Sequence, residues 1–205
     1  MFQDRIDAGL QLAGKLKKYQ HDPCIVLAIP RGGVPVGYAV AKALGFPLEV
    51  VLTKKIGHPM NKEYAIGAAS LGDYFTIPHE DVTPEYIEEE VANVQKRLQE
   101  MRSKFMANRK PENKEGKTLI VIDDGVATGN TLMATVNVLR KEYPGKIIIA
   151  VPVASQEAFQ KLSRVADEVI ALLIPDEFYG VGAFYEDFEQ VSDETVIAYL
   201  NKFQV

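Results

Sequence analysis

Five short apolar runs predict the strands of this chain. Within each run Val, Ile and Leu follow one another almost without interruption, which is typical of strands buried on both faces of a parallel sheet. The runs are CIVLAI (24–29), LEVVLT (48–53), TLIVID (118–123), KIIIAVPV (146–153) and EVIALLI (168–174). Segments with helical spacing lie between them, at about 34–45, 130–143 and 155–163. The alternation predicts an α/β fold with an open, doubly wound, mostly parallel sheet.

One long segment has a different, strongly polar pattern. Residues 84–110 are highly charged at helical spacing, with acids at the start and bases at the end, which suits the helix dipole. They predict an inserted long helix that covers the core, and RKPENKEGK (109–117) predicts an exposed connection after it. Because no repeat or domain boundary is visible, we expect residues 1–205 to form a single domain.

Composition narrows the cellular setting. The net charge of -5 argues against a nucleic-acid-binding protein, since nucleic-acid binding usually needs a basic face. The one cysteine, Cys24, lies inside an apolar run and is expected to be a core residue without a disulfide. The first residues carry charges throughout, and no stretch reaches the roughly 20 apolar residues of a membrane span. We therefore expect a cytoplasmic protein with no membrane contact.

The segment LIVIDDGVATGNT (119–131) carries the first candidate chemistry. Ligands of open α/β sheets bind outside the carboxyl ends of the strands, and Asp123 and Asp124 fall at such an end. Two adjacent carboxylates are costly to bury alone, so we expect them to face a wet cleft and to meet hydroxyl groups or a cation. Gly129 allows close backbone approach, and the helix that follows offers free N–H groups to an anion. The loop therefore predicts a sugar-phosphate site.

The sequence excludes two better-known kinds of phosphate-binding loop. A Walker loop needs a lysine before its Thr, whereas Asn130 precedes Thr131 here. The glycine fingerprint of dinucleotide-binding folds is also missing from the sequence.

The same segment resembles the PRPP-binding motif of type I phosphoribosyltransferases (PRPP is 5-phosphoribosyl 1-pyrophosphate). The resemblance extends over most of the chain and is greatest to an uncharacterised phosphoribosyltransferase-like group. It implies the type I phosphoribosyltransferase fold, with Asp123 and Asp124 binding the ribose hydroxyls. The residues it assigns to the 5-phosphate are Ala127, Thr128, Gly129, Asn130 and Thr131.

A second loop, AIPRGG, follows the first strand. Gly32 and Gly33 permit a tight turn with exposed amides, and Arg31 adds a cation, a combination that suits pyrophosphate. The resemblance implies that this loop binds the pyrophosphate of PRPP and has a cis peptide, which we expect at the Arg31–Gly32 bond. Lys54 and Lys55 are expected to neutralise the same group.

The resemblance also implies two mobile or variable parts. A flexible loop is expected at Ile56–Ala65, from which His58, Lys62 and Glu63 could reach the reaction. A small C-terminal hood, at about 173–192, is expected to bind the acceptor base. Its candidate residues are Phe178, Tyr179, Val181 and Phe184.

The resemblance departs from one branch of the family at Ala127, where the 6-oxopurine enzymes have an aspartate as general base. Hypoxanthine–guanine activity is therefore not implied. A base would have to come from elsewhere, with Glu63, His58 and Lys55 as candidates beside the catalytic Asp123 and Asp124.

The implied reaction transfers the ribose 5-phosphate of PRPP to a nitrogenous acceptor, which could be a purine or related base, and releases pyrophosphate. Mg²⁺ is the implied cofactor, held mainly through the substrate and only indirectly by Asp123 and Asp124. A homodimer is expected by family analogy. The alternative is a non-catalytic regulator of the same fold that binds PRPP or a nucleotide; a phosphosugar hydrolase or kinase ranks last.

Overall fold

The computed structural model describes residues 1–106 and 109–203, except for the side chain of Glu63. Within these residues the strands are β1 (Cys24–Ala28), β2 (Leu48–Val50), β3 (Lys54–His58), β4 (Asn61–Ala69), β5 (Tyr74–Thr76), β6 (Thr118–Ile122), β7 (Lys146–Val153) and β8 (Glu168–Leu173). The α-helices are α1 (Arg5–Leu16), α2 (Gly33–Leu44), α3 (Pro84–Met106), α4 (Asn130–Leu139), α5 (Gln156–Leu162) and α6 (Asp193–Lys202).

The central sheet has the strand order β2–β1–β6–β7–β8, and all its pairings are parallel. Each strand corresponds to one of the five predicted apolar runs, so the predicted α/β fold with a doubly wound sheet is confirmed. The chain adds β2 on one side of β1 and β6 on the other. The gap between the carboxyl ends of β1 and β6 is therefore the topological switch point, where such sheets bind ligands.

The continuous apolar runs are explained by burial on both faces of this sheet. In β6, Ile120 and Ile122 belong to the core formed with α1, α2, α3 and α6. The alternate residues Leu119 and Val121 belong to the core formed with α4 and α5. All four residues have no solvent exposure, which is why the strand shows no polar alternation.

A second, antiparallel sheet of β3, β4 and β5 replaces the flexible loop expected at Ile56–Ala65, and that prediction is wrong. The residues that predicted a loop lie instead at the turn of a hairpin and at an irregularity in the pairing of its strands. Register shifts flank Gly57, where a Cβ atom would lie 2.4 Å from the carbonyl oxygen of Lys62. The turn falls at Pro59 and Met60. Gly and Pro therefore mark a bulge and a tight turn within a hairpin.

Several element boundaries differ from the predicted ones. The described part of the inserted helix α3 is Pro84–Met106, and the residues from Arg109 are not helical, so the predicted end at 110 is wrong. Strand β2 ends at Val50 rather than 53, and α4 ends at Leu139 before a 3-10 turn at Arg140–Glu142. In the described part of the chain, no helix is both long and apolar enough to span a membrane.

Candidate active site

Two loops meet at the switch point of the sheet. The amide of Ile29, after β1, donates to the carbonyl oxygen of Ile122, at the end of β6, over 2.8 Å. A Cβ atom on Gly33 would lie 2.6 Å from the same oxygen and 2.9 Å from the Cα of Asp123. The predicted pyrophosphate loop therefore packs directly on the predicted ribose-binding acids, and glycine is required for that approach.

Gly32 lies equally close to the second acid. A Cβ atom at Gly32 would fall 2.0 Å from Oδ2 and 2.5 Å from Cγ of Asp124. No side chain other than hydrogen fits between this loop and the carboxylate. The contact unites two motifs that are separated by about ninety residues of sequence.

Arg31 lies at the exposed mouth of this loop. The non-proline cis peptide is the Pro30–Arg31 bond, so the predicted position, Arg31–Gly32, is wrong by one residue. Nη1 of Arg31 is 3.4 Å from Oδ1 of Asp193, at the start of α6. Oδ2 of Asp193 also accepts a 2.6 Å hydrogen bond from Lys104 of α3. Asp193 thus holds two cations at the predicted pyrophosphate loop.

The aspartate pair has unusual electrostatics. Burial, and then the neighbouring charge of Asp124, raise the pKa of Asp123 well above its usual range, although the amide of Asp124 donates to its Oδ1 over 2.9 Å. Burial also raises the pKa of Asp124, and the Arg5 guanidinium opposes that rise. Ligand hydroxyls or a cation at this pair would relieve part of the same penalty.

The predicted phosphate loop is exposed to solvent except at Gly129, where its backbone is packed and hydrogen-bonded. Ala127, Thr128, Asn130 and Thr131 are exposed, whereas Gly129 is buried. Gly129 adopts φ 75° and caps α4, and its carbonyl accepts from the amide of Met133 over 2.8 Å. The first amides of α4 have no intrahelical acceptors, so this end can bind an anion.

Two residues that sequence reasoning missed support the phosphate loop from α5. Oγ of Ser155, which caps α5, donates to the carbonyl oxygen of Ala127 over 2.6 Å. Nζ of Lys161 donates to the carbonyl oxygen of Thr128 over 3.2 Å. Nothing in the local sequence of Ser155 or Lys161 marks this role, because both bonds join distant segments.

The other basic and catalytic candidates belong to the hairpin. Lys54 and Lys55 are exposed at the start of β3. The preceding Thr53 is tied to α4, since its hydroxyl is 2.6 Å from that of Thr135. Glu63 lies in β4, but its side chain is outside the described residues, so its catalytic role stays a prediction.

His58 is already engaged within the hairpin. Its Nε2 lies 3.0 Å from Oδ2 of Asp81, and its Nδ1 accepts from the amide of Met60 over 3.2 Å. Both ring nitrogens of His58 therefore have partners, and its catalytic role stays a prediction.

The hood lies against the motif loop, but its aromatic rings are used unequally. A Cβ atom at Gly125 would lie 2.5 Å from Cγ1 of Val181, so the hood touches the start of the phosphate loop. Phe178 and Phe184 stack on each other with ring centroids 5.7 Å apart. Tyr179 is 83% exposed. Of these candidates, Tyr179 has the ring that is most accessible to an acceptor.

Arg5 is a further residue of the site that sequence reasoning missed, and Tyr185, one of the aromatic residues of the hood, has a role there that the sequence did not predict. Nε of Arg5 donates to Oδ2 of Asp124 over 2.8 Å, and the two side chains are only 12% and 14% exposed. The hydroxyl of Tyr185 donates to the carbonyl oxygen of Asp124 over 2.5 Å. The one local signal for Arg5 is its place in the first turn of α1, where the helix dipole disfavours a cation.

The donor set is consistent with a magnesium ion held largely by substrate. Among the described residues, no cluster of three or more His, Cys, Asp or Glu side chains could hold a metal ion. Mg²⁺ commonly binds one or two carboxylates together with substrate phosphates and water. Asp123 and Asp124, packed against the predicted pyrophosphate loop, match that arrangement rather than an all-protein cage.

A doubly wound sheet with these two loops at its switch point defines a protein of the type I phosphoribosyltransferase fold. The family model for the phosphoribosyl transferase domain matches residues 4–188, and the chain belongs to this family.

Known relatives agree with that assignment. Two Mycobacterium tuberculosis proteins, named as candidate phosphoribosyl transferases, are 34% identical over 207 residues, covering 98% of this chain and 47% of theirs. The chain thus spans about half the length of these curated relatives. A Thermus thermophilus protein of known crystal structure is 39% identical, with 99% of each chain covered and a TM-score of 0.92. A purine phosphoribosyltransferase from Pyrococcus horikoshii is 18% identical, with 92% and 93% coverage and a TM-score of 0.50, which shows a shared fold.

Proposed function

We propose that this protein is a Mg²⁺-dependent phosphoribosyltransferase that moves the ribose 5-phosphate of PRPP to a nitrogenous acceptor and releases pyrophosphate. The observation that carries the proposal is the packing of Gly32 and Gly33 on the aspartate pair, beside an open helix N-terminus. That arrangement provides a pyrophosphate loop, acceptors for sugar hydroxyls and a phosphate cradle at one edge of the sheet. PRPP carries all three groups on one ribose.

Each part of the site has a distinct role in the proposed reaction. The 5-phosphate binds the amides and hydroxyls at 127–131, and the ribose hydroxyls donate to Asp123 and Asp124. The pyrophosphate binds Arg31 and the amide of Gly32, since the amide of Gly33 already donates to the carbonyl oxygen of Ile29 over 3.0 Å. Lys54 and Lys55, exposed at the start of β3, are proposed to add positive charge for the same group.

The chemistry is a displacement at C1 of the ribose. The acceptor nitrogen forms the new bond to C1 as the bond from C1 to the pyrophosphate oxygen breaks, and the bonding pair leaves with pyrophosphate. When bound, Mg²⁺ would neutralise charge that develops on the leaving group. Arg31 and the amide of Gly32 stabilise the same charge, and such fixed donors are worth a few kcal/mol each in a site that excludes water.

The acceptor is proposed to bind under the hood. Val181 touches Gly125, so a flat ring held there would lie next to the ribose-binding loop. Tyr179 is the most exposed of the hood rings and can stack on a heterocycle. His58 is engaged by Asp81 and Met60. Lys55 and Glu63, in neighbouring strands of the hairpin, are the proposed candidates for proton transfer.

The test is pyrophosphate release from PRPP and Mg²⁺ across adenine, hypoxanthine, guanine, xanthine, uracil, orotate and nicotinate. We expect turnover with one acceptor and its loss in the Asp123→Asn, Asp124→Asn double variant. A Glu88→Gln, Glu89→Gln double variant is the matched control, because it neutralises an adjacent, exposed acidic pair on α3. Unfolding curves of both variants would establish that the fold is intact.

The possible outcomes separate the proposal from its alternative. Binding of PRPP by calorimetry without turnover on any acceptor would favour the non-catalytic regulator. Failure to bind PRPP, or full activity of a folded aspartate double variant, would refute the assignment of the site.

A further inference from the structure

The N-terminal strap, defined as residues 2–5, is joined to the hood by backbone hydrogen bonds. The amide of Phe2 donates to the carbonyl oxygen of Phe184 over 2.8 Å, and the amide of Glu186 donates back to Phe2 over 2.8 Å. The amide of Asp187 donates to the carbonyl oxygen of Gln3 over 3.0 Å. Phe2 is 3% exposed, so the strap is a fixed part of the hood.

Arg5, at the end of the strap, makes three contacts at once. Nε donates to Oδ2 of Asp124 over 2.8 Å, and Nη1 donates to the carbonyl oxygen of Glu189 over 2.8 Å. The guanidinium carbon lies 3.8 Å from the ring centroid of Phe188. A planar guanidinium that is stacked and bonded at two edges has little freedom to move.

These contacts fix the orientation of one ribose-binding carboxylate. Arg5 engages Oδ2 of Asp124, Tyr185 holds the backbone carbonyl, and Gly32 closes the remaining side. Without the guanidinium, the carboxylate would lose its charged partner and could rotate about its side-chain bonds. Oδ1 is the oxygen that Arg5 leaves available to accept a hydrogen bond from a sugar hydroxyl.

We propose that Arg5 is a positioning residue that aims the Asp124 carboxylate at the ribose hydroxyls and couples this site to the hood. The inference rests on the proposed function, since it assigns the sugar diol as the group that Asp124 recognises. Among the described residues, the hydrogen bonds of Arg5 go to Asp124 and Glu189 and none goes to the loop at 127–131, so its effect on affinity is expected to depend on the hydroxyls. A purely structural tether would instead affect every ligand of the site alike.

The test compares two ligands that differ in those hydroxyls. Calorimetry gives the Kd of ribose 5-phosphate and of 2,3-dideoxyribose 5-phosphate for the parent protein, Arg5→Met and Arg5→Lys. Arg5→Met keeps an unbranched apolar stem over Phe188 and removes the donors. Lys15→Met is the matched control, because Lys15 lies exposed on the same helix.

We expect Arg5→Met to raise the Kd of ribose 5-phosphate about tenfold, which is the usual effect of losing one charge-assisted hydrogen bond. The Kd of the dideoxy ester should change less than about twofold. Arg5→Lys, which keeps one charged donor, is expected to recover part of the loss. In turnover, the KM for PRPP should rise more than kcat falls. If Arg5→Met does not fold, the Arg5→Lys protein carries the same comparison.

Three results would overturn the inference or the function beneath it. An equal rise in the Kd of both esters would show that Arg5 is only a structural tether. No change in either Kd would show that Asp124 is positioned without Arg5. If the parent protein bound neither PRPP nor ribose 5-phosphate, the proposed function itself would fail.

Discussion

Replacement of Gly32 by alanine is the sharpest test of the candidate site, because the structure gives the position of the added Cβ atom relative to Asp124. The new Cβ would lie 2.0 Å from Oδ2 of Asp124, so the carboxylate or the loop must retreat until ordinary contact, 3.4 Å or more, is restored. The carboxylate is held by Arg5 at 2.8 Å and is only 14% exposed, so it has little room to yield.

The expected loss follows from that displacement. A shift of about 1 Å in a substrate-positioning group can cost about 100-fold in rate, so we expect kcat/KM for PRPP to fall by that factor. Overpacking of this kind also costs about 1–3 kcal/mol in the free energy of unfolding. The protein should therefore remain folded while its turnover is nearly lost.

Pyrophosphate release and urea unfolding measure the two effects separately. The control is Gly14→Ala in α1, where an added Cβ meets nothing within 4 Å and alanine should stabilise the helix by about 1 kcal/mol. A folded Gly32→Ala protein with kcat/KM within about threefold of the parent would refute the reasoning, since it would mean that the Gly32–Asp124 contact has no part in PRPP use.

Three further outcomes are expected. Gly129→Ala should cost about 1–2 kcal/mol by urea unfolding, because φ is 75° there, and unchanged stability would contradict this backbone argument. Burial raises the pKa of Cys24 to about 11, so its thiol should react with a disulfide reagent at about pH 8 only when denaturant is present, and rapid labelling of the native protein would contradict the burial. Burial alone would raise the pKa of Asp167, but the hydrogen bonds from Arg140 and from the Ile147 amide hold it below 3.8. Since the folded pKa is the lower one, this stabilisation is present above pH 3.8 and is lost as the pH falls through the folded value. Both side chains of the Arg140–Asp167 pair are 38% exposed, so Arg140→Gln should cost under about 1 kcal/mol at neutral pH. The cost should shrink as the pH is lowered below 3.8, and a cost that stays constant over the acidic range in which the protein is folded would argue against the ion pair as its cause.

Much of the fold could be predicted because its signals are local. Buried parallel strands need apolar residues on both faces, so the runs that became β1, β2, β6, β7 and β8 stand out without any tertiary information. The small sheet was missed for the opposite reason. The segment from Lys54 to Ala69 mixes apolar, charged and turn-forming residues, and Gly57 and Pro59 predict a loop when their partners across the hairpin are unknown.

The hood shows the same limit at the level of single residues. Its C-terminal aromatic rings were visible in the sequence, but Phe178 and Phe184 stack on each other while Tyr179 remains exposed. Composition could not distinguish a ring that packs from a ring that is available to a ligand. The same hood includes the N-terminal strap, which comes from the other end of the chain.

The class of fold and the two predicted ligand loops could be identified from local patterns, because each depends on a short run of apolar, acidic and glycine residues. Tertiary structure decided how those loops are held together. Arg5 meets Asp124 across 119 residues of chain, and Tyr185 reaches the same aspartate from the hood. No local pattern specifies such pairs, since an arginine in a first helical turn and a tyrosine in a loop have many possible partners until packing brings one of them within bonding distance.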